Sequence, residues 1–360
     1  MCYFWNVTEG QLFMEERKNI GLSSLGEFGL IRKLTADITL HNPSTRKGIG
    51  DDAAVLDHSG VHTVVTTDLL LEGVHFDLTY MPLKHLGYKS VIVNLSDVFA
   101  MNAVPLQITV SLGISAKMSL QAIEDLYAGI KLACSLYDTD IVGGDTSASL
   151  TGLTISITAL GAAPPEQLVY RSGARPDDSI CVTGDMGSAY MGLLLLQREN
   201  RLFKEDPGYM PDLNSYPYLV ERQLKPEAQH GLIRLLQEKG IKPTAMIDIS
   251  DGLSSDLLHV CEASGTGCIL QGDKIPIHDE TERMAADLYM SPLVAALNGG
   301  EDYEILFTVS PDDLPHVQGI PGITVIGQMV DEKEGNQLIL PDGSAVPLKA
   351  EGWNAFGRGA

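Results

Sequence analysis

The chain has 360 residues, of which 44% are hydrophobic, and this is enough to bury one large core or, as we expect, two domain cores. Its 25 basic and 47 acidic residues give a formal net charge of −22, which excludes the basic surface that nucleic acid or an anionic membrane requires. No apolar run reaches the ~20 residues of a membrane-spanning helix.

The first part of the chain alternates strand and helix patterns. Residues 1–25 lack globular patterning and are interpreted as an N-terminal extension that is too polar for a signal peptide. From there we predict strands at 61–67, 106–114, 139–144 and 153–162, and helices at 83–101 and 119–137. The first strand is expected to end on Asp68, and the strand at 139–144 is expected to be short and buried. This alternation predicts an α/β unit.

A second unit follows a segment rich in proline, alanine and charge, AAPPEQLVYRSGARPDD at 162–178, which we interpret as the domain boundary. The patterns predict strands at 179–184, 245–250, 267–271 and 303–309, and helices at 188–199, 226–239, 252–263 and 279–297. The polar stretch 200–225 contains three prolines and is predicted to be a mobile surface excursion or lid.

Cysteine usage indicates a reducing compartment. The five cysteines show no CxxC spacing, and four of them lie within apolar stretches. This pattern is typical of buried, reduced thiols, so we expect a cytoplasmic protein without a zinc site.

Aspartates occur beside apolar runs in five segments: GIGDDAAVL at 48–56, VVTTDLLLEG at 64–73, VNLSDVFAM at 93–101, IVGGDTS at 141–147 and MIDISDGL at 246–253. Unpaired buried carboxylates are costly and therefore need cations. Oxygen ligands from several segments suit Mg²⁺, which is usually held by a few carboxylates together with substrate phosphates. The pattern therefore indicates nucleotide chemistry.

The nucleotide is not bound by a common phosphate-binding loop. The sequence contains no GxxxxGK[ST], no GxGxxG after a strand, and neither the HRD nor the DFG signature of protein kinases. We therefore expect metal ions to hold the phosphates.

Eight motifs resemble those of one protein family. GEFGLI, GIGDDAAVL, TTDLLLEGVHF, VNLSDVFAMNAVP, GGDT, YRSGARPDD, DISDGLSSDL and GGEDYEILF occur in the order and spacing of the thiamine-monophosphate kinases. The resemblance runs from about Gly26 to about Gly357. That family belongs to a superfamily that includes aminoimidazole ribonucleotide synthetase and the selenophosphate synthetases.

The resemblance implies ATP-dependent phosphorylation of thiamine monophosphate to thiamine diphosphate, by direct in-line transfer with several Mg²⁺ ions. It implies a two-domain aminoimidazole ribonucleotide synthetase-like fold of the α/β and α+β classes. Residues 26–163 would bind ATP and Mg²⁺ and dimerise, with the sheets of two copies forming a β-barrel. Residues 164–360 would form an α+β domain that closes the site.

The resemblance also implies roles for individual residues, with Asp97 and Asp145 the catalytic ones. The implied magnesium ligands are Asp52, Thr66, Thr67, Asp68, Asp97, Asp145, Asp248 and Asp251. The implied nucleotide contacts are Tyr127, Gly144, Asp145, Arg171 and Ser250. The implied substrate contacts are His75, Glu301 and Trp353.

Several of these residues have a structural alternative. Asp52 suits a turn, Asp97 could be a hydrogen-bonded core carboxylate, and Asp145 or Asp251 could cap a helix. The remaining alternatives are a core or surface position for His75, packing for Trp353, a strand start for Glu301 and a surface ion pair for Arg171.

Other functions remain open. A selenophosphate synthetase would carry a reactive cysteine in its glycine-rich N-terminal segment, but here only Cys2 precedes Cys134. A non-catalytic Mg²⁺- or Ca²⁺-binding module is the alternative from another class. The sequence contains no EF-hand spacing, and its aspartates come from scattered segments, which favours an active site.

Overall fold

The structure is a computed structural model that describes residues 45–47, 50–58, 60–115 and 117–351. The predicted extension over residues 1–25 and the candidate substrate contact Trp353 lie outside the described residues. Two mixed β-sheets, one before residue 164 and one after residue 178, organise the described chain.

The first sheet contains six strands in the order β1-β2-β3-β6-β4-β5. Its strands are β1 (Thr45–Lys47), β2 (Ala54–His58), β3 (Val61–Leu71), β4 (Val104–Ser115), β5 (Asp140–Ser149) and β6 (Thr154–Ala163). Only β4 and β5 pair in parallel. Strand β6 alternates buried and half-buried residues, as expected of a strand with one face on the core.

Two helices accompany this sheet, α1 (Leu83–Ala100) and α2 (Leu120–Leu136). Helix α1 packs on β3, β4 and β6, and it also contacts the second sheet. Helix α2 begins after Ser119, whose Oγ accepts a hydrogen bond of 3.1 Å from the Ala122 N–H.

Two glycines let α1 and α2 approach each other closely. A Cβ added to Gly87 would lie 1.9 Å from the Leu126 carbonyl oxygen, and one added to Gly129 would lie 1.9 Å from the Lys84 carbonyl oxygen. No side chain fits at either position, so the backbones of the two helices are in direct contact.

The second sheet contains seven strands in the order β13-β12-β9-β11-β7-β10-β8, of which only β9 and β12 pair in parallel. Its strands are β7 (Ser179–Thr183), β8 (Ala245–Asp248), β9 (Thr266–Gln271), β10 (Ile305–Val309), β11 (Ile323–Asp331), β12 (Asn336–Ile339) and β13 (Ala345–Pro347). The accompanying helices are α3 (Ser188–Glu205), α4 (Pro217–Leu224), α5 (His230–Lys239), α6 (Leu253–Ser264), α7 (Asp279–Asp287), α8 (Pro292–Asn298) and α9 (Leu314–Val317).

Three sequence predictions were wrong in detail. Strand β3 continues through Asp68 to Leu71, and β5 is a ten-residue exposed strand rather than a short buried one. The stretch 200–225 is irregular mainly over residues 206–216, because it also completes α3 and contains α4. Strands β11 to β13 were not predicted.

In the part of the chain that the structure describes, neither sheet closes into a barrel. Within the same residues, no helix has the length and apolar character needed to cross a membrane.

Candidate active site

Three carboxylates, one buried and two partly buried, meet between the two sheets. Asp52 lies in the segment before β2, Asp97 lies on α1, and Asp248 ends β8. Each side chain offers one oxygen, and these three oxygens lie within 4.8 Å of one another. We call Asp52, Asp97 and Asp248 the acidic trio; it is the only such group found in the described residues.

Hydroxyl groups orient two members of the acidic trio. Thr66 Oγ1 on β3 donates to Asp97 Oδ2 at 2.5 Å, and Ser96 Oγ donates to Asp248 Oδ2 at 2.7 Å. Ser96 directly precedes Asp97, so α1 both supplies one carboxylate and fixes another.

The acidic trio is electrostatically unfavourable without a cation. Burial raises the pKa of Asp52 to about 7 and that of Asp248 to about 6. Burial, followed by the neighbouring charges of Asp68, Asp248 and Asp52, raises the pKa of Asp97 well above its usual value. Ionised together, these groups would require a positive ion.

One oxygen of the trio is available to a cation. Asp52 Oδ2 is buried and has no hydrogen-bond partner among the described residues. The Asp52 Oδ1 atom pairs with the guanidinium of Arg171, whose backbone N–H donates to Asp51 Oδ1 at 3.1 Å. A divalent cation with oxygen ligands would satisfy the unpartnered atom.

Asp68 lies beside the trio on β3, and Thr67 precedes it in that strand. The Asp68 N–H donates to Asn94 Oδ1 at 3.1 Å, and the Asp68 charge raises the pKa of both Asp97 and Asp248. The hydroxyl of Thr67 donates to the Ile157 carbonyl oxygen at 3.1 Å, so it serves the pairing of β3 with β6 in this structure.

The loop after β8 brings Asp251 close to the trio. The Asp251 charge raises the pKa of Asp248. Asp256, which sequence reasoning missed, accepts 3.2 Å hydrogen bonds from the N–H groups of Asp251 and Gly252. Ser250 lies in the same loop, and its carbonyl oxygen accepts a 2.8 Å bond from the Glu301 N–H. The motif DISDGLSSD could have indicated Asp256.

The structure does not bring Asp145 into the acidic trio. Asp145 lies on the exposed strand β5, opposite Ser111 of β4. Gly144 before it has a φ of +155°, and a Cβ there would lie 1.9 Å from the Val110 carbonyl oxygen, so the position requires glycine. Tyr127 on α2 is partly buried and packs against the hydrophobic core.

Glu301 and His75 both have defined partners. Glu301 Oε2 accepts from Lys89 Nζ at 2.8 Å and from Gln223 Nε2 at 2.9 Å. His75 Nδ1 accepts from the Leu71 N–H at 3.0 Å. Sequence reasoning missed Lys89 and Gln223, although a lysine within the apolar helix sequence LGYKSVIVNL was a usable signal.

Comparisons with known proteins identify the family of both domains. The family described as AIR synthase related protein, N-terminal domain, matches residues 50–163, and the corresponding C-terminal domain matches residues 175–338. Among curated proteins, the thiamine-monophosphate kinase of Bacillus subtilis is 33% identical over 339 residues, covering 92% of this chain and all of that protein. The thiamine-monophosphate kinase of Aquifex aeolicus is 36% identical, covering 93% of this chain and 99% of that protein.

A solved structure of AaThiL complexed with AMPPCP and TMP is also similar to this chain. It has a TM-score of 0.78 and 32% sequence identity, with coverage of 93% of this chain and 98% of that one. Both domain families, the nearly full-length relatives and the shared architecture lead to one assignment. The chain belongs to the thiamine-monophosphate kinase family and has the two-domain α/β fold of the AIR synthase related proteins.

Proposed function

We propose that this chain phosphorylates thiamine monophosphate with ATP to give thiamine diphosphate and ADP. The single observation that carries the proposal is the acidic trio, which is built from three separate segments and has Arg171 as its paired cation only at Asp52 among the described residues. The similarity to a protein whose structure holds both AMPPCP and TMP supports the choice of nucleotide and acceptor.

We propose that the acidic trio holds Mg²⁺, with Asp68 and Asp251 next to it. Hard carboxylate oxygens suit Mg²⁺. When bound, Mg²⁺ would supply positive charge that offsets the repulsion between ATP and the acceptor phosphate. Thr66, Thr67 and Asp145 remain proposed ligands from the resemblance. Thr66 also orients Asp97, and Asp145 would have to join the site from the exposed strand β5.

The acceptor requires no general base. A phosphate monoester has a second pKa of about 6 and is therefore an anionic nucleophile at neutral pH. In an in-line transfer, an acceptor oxygen bonds to the γ-phosphorus while the bond between that phosphorus and the bridging oxygen of ADP breaks. The protein then contributes positioning and charge stabilisation. Arg171, held by Asp51 and Asp52, is the cation of this chain that we assign to the nucleotide.

The remaining site residues divide between two ligands. We propose Tyr127, Gly144 and Ser250 as further nucleotide contacts. His75, Glu301 and Trp353 are the proposed contacts to the thiamine moiety.

We further propose that two copies associate through the N-terminal sheet and close it into a barrel, with residues 26–163 and 164–360 as the two domains. Strand β5 supports this proposal, because it is an exposed edge strand that carries Ile141 and Val142, 39% and 59% exposed. Exposed edges of this kind readily pair with another chain.

Product analysis tests the proposed function. The protein is incubated with ATP, Mg²⁺ and thiamine monophosphate, and the thiamine species and ADP are quantified by chromatography. We expect thiamine diphosphate and ADP in equal amounts and complete loss of both after addition of EDTA. ADP formation that does not depend on thiamine monophosphate, or full turnover in metal-free buffer, would refute the proposal.

A further inference from the structure

Two buried side chains hold one carboxylate oxygen of Glu301. Lys89 Nζ, on α1, donates to Glu301 Oε2 at 2.8 Å and to the Gln223 carbonyl oxygen at 3.1 Å. Gln223 Nε2, on α4, donates to the same Oε2 atom at 2.9 Å. Lys89 and Gln223 are only 3% and 2% exposed, whereas the side chain of Glu301 is 30% exposed. The carboxylate is thus fixed from the protein side and reachable from the solvent side.

The backbone around Glu301 is equally constrained. Glu301 has a φ of +59°, which non-glycine residues rarely adopt. Its N–H donates to the Ser250 carbonyl oxygen, and a Cβ on Gly300 would lie 2.5 Å from that oxygen. The segment therefore rests directly on the loop that follows β8.

Helix α4 also holds the residues that follow Glu301. Arg222 Nη2 donates to the Asp302 carbonyl oxygen at 3.1 Å and pairs with Glu304 Oε1 at 2.9 Å. Arg222 and Gln223 are consecutive residues of α4. Together they bind both the backbone and the side chains of the segment that begins at Glu301. The stretch 200–225, which contains α4, was predicted from its composition to be a mobile surface excursion or lid.

We infer that Lys89 and Gln223 are positioning residues that orient the Glu301 carboxylate toward the thiamine moiety of the acceptor. The inference rests on the proposed function. Among the described residues, both donors bond Oε2, so we assign Oε1 to the ligand. The thiazolium ring of thiamine is a cation, so an oriented carboxylate beside it favours binding of the acceptor without taking part in phosphoryl transfer.

Gln223→Leu is the decisive variant because it removes the donor without changing any charge and keeps the carbonyl that accepts from Lys89. Lys89→Met removes the second donor. A hydrogen bond to a charged group is stronger than one between neutral groups. Loss of either bond to Glu301 should therefore raise the KM for thiamine monophosphate at least about tenfold. The KM for ATP should stay within about twofold in both. Lys84→Met, the same substitution at an exposed position of α1, is the matched control and should leave both constants unchanged.

A double-mutant cycle separates positioning from a general structural role. In a Glu301→Gln background, which itself raises the KM for thiamine monophosphate, Gln223→Leu and Lys89→Met should add little, because they act through the carboxylate. Full additivity, an equal rise in the KM for ATP, or a lowered KM for thiamine monophosphate would overturn the inference.

Calorimetric binding of thiamine monophosphate to the same proteins gives a second readout. If Lys89→Met does not fold, Gln223→Leu decides alone. A parent protein that neither binds nor phosphorylates thiamine monophosphate would refute the proposed function and the inference with it. Normal turnover of the parent together with an unchanged KM in Gln223→Leu would refute the inference alone.

Discussion

Asp97 is the residue on which the proposed chemistry depends most directly. It is partly buried, hydrogen-bonded to Thr66 and close to other carboxylates. Asp97→Asn keeps the shape of the side chain but removes a negative charge that would hold Mg²⁺. We expect kcat to fall at least about a hundredfold. Steady-state kinetics at saturating Mg·ATP measure this, with the exposed Asp312→Asn as control. Near-normal turnover of Asp97→Asn would remove Asp97 from the metal site.

Asp145 provides a separate test, because it lies on β5 and outside the acidic trio. If it reaches the nucleotide site as we propose, Asp145→Asn should also lower kcat at least about a hundredfold. Under the same assay conditions, wild-type kinetics in this variant would restrict the metal site to the trio and its neighbours.

His75 is expected to orient substrate rather than remove a proton. Its Nδ1 accepts the Leu71 N–H, so in the neutral ring Nε2 carries the proton and is a donor. Loss of a general base typically lowers the rate ~10²- to 10⁴-fold. His75→Asn should instead raise the KM for thiamine monophosphate and leave kcat within about tenfold. A collapse of kcat with an unchanged KM would show that this assignment is wrong.

At the residue scale, the sequence identified the carboxylates of the site better than the side chains that bond to them. Asp52, Asp97 and Asp248 stand beside apolar runs, and those runs become the elements that bring them together. The bond from Lys89 to Glu301 joins residues 212 positions apart, and no local pattern encodes such a pair. Long-range hydrogen bonds depend on the packing of whole elements.

The contact of α1 with α2 makes a prediction at the scale of elements. Gly129→Ala places a methyl group where the Lys84 carbonyl oxygen already lies, so the helices must separate. Overpacking of this kind costs about 1–3 kcal/mol of unfolding free energy. Because α1 carries Asp97 and Lys89, turnover should fall as well.

Urea unfolding of Gly129→Ala measures the loss of stability. Gly231→Ala on α5 is the control, because a Cβ there meets nothing within 4 Å. Its stability should be unchanged or raised by up to about 1 kcal/mol. Equal stability of the two variants would contradict the proposed close contact.

The sequence patterns predicted the regular helices and strands. They failed where contacts between distant elements determine the structure. The helices at α1, α2 and α6 and the strands β4 and β6 were confirmed. Strand β5 was expected to be short and to end at Gly144, yet pairing with β4 carries it to Ser149. The prolines of 200–225 suggested irregular structure, but Pro217 occupies the first turn of α4, where proline is tolerated.

The buried carboxylates couple the stability of the whole molecule to pH. Asp248 has a pKa of about 6 in the folded state against 3.8 when unperturbed. Between these values the folded chain binds more protons than the unfolded chain, so the unfolding free energy falls as pH rises through this window. For Asp248 alone the expected loss between pH 4 and pH 8 is on the order of 3 kcal/mol, and Asp52 shifts in the same direction.

Mg²⁺ should reverse this loss, because metal binds the ionised form. Thermal unfolding of the metal-free protein should therefore move to lower temperature from pH 5 to pH 8, and added Mg²⁺ should stabilise the protein more at pH 8. Asp97→Asn should reduce the change of the thermal midpoint both with pH and with added Mg²⁺. A thermal midpoint for the metal-free protein that rises over this range would contradict the site electrostatics.

The proposed dimer is also tested on the whole molecule. Light scattering at micromolar concentration should give twice the mass of the chain. Val142→Lys puts a charge on the exposed edge strand β5 and should shift the mass to that of one chain. The exposed Lys84→Met serves as the control. A monomeric parent protein would refute the dimer.

The contact of α1 with both sheets has a consequence for synthesis. A chain emerging from the ribosome carries Asp52 and Asp97 long before Asp248, which is 151 residues after Asp97. Until β8 emerges, Ser96 has no carboxylate to hold, and the acidic trio has only two members. We therefore expect the nascent N-terminal sheet to bind the proposed cation more weakly than the finished chain does.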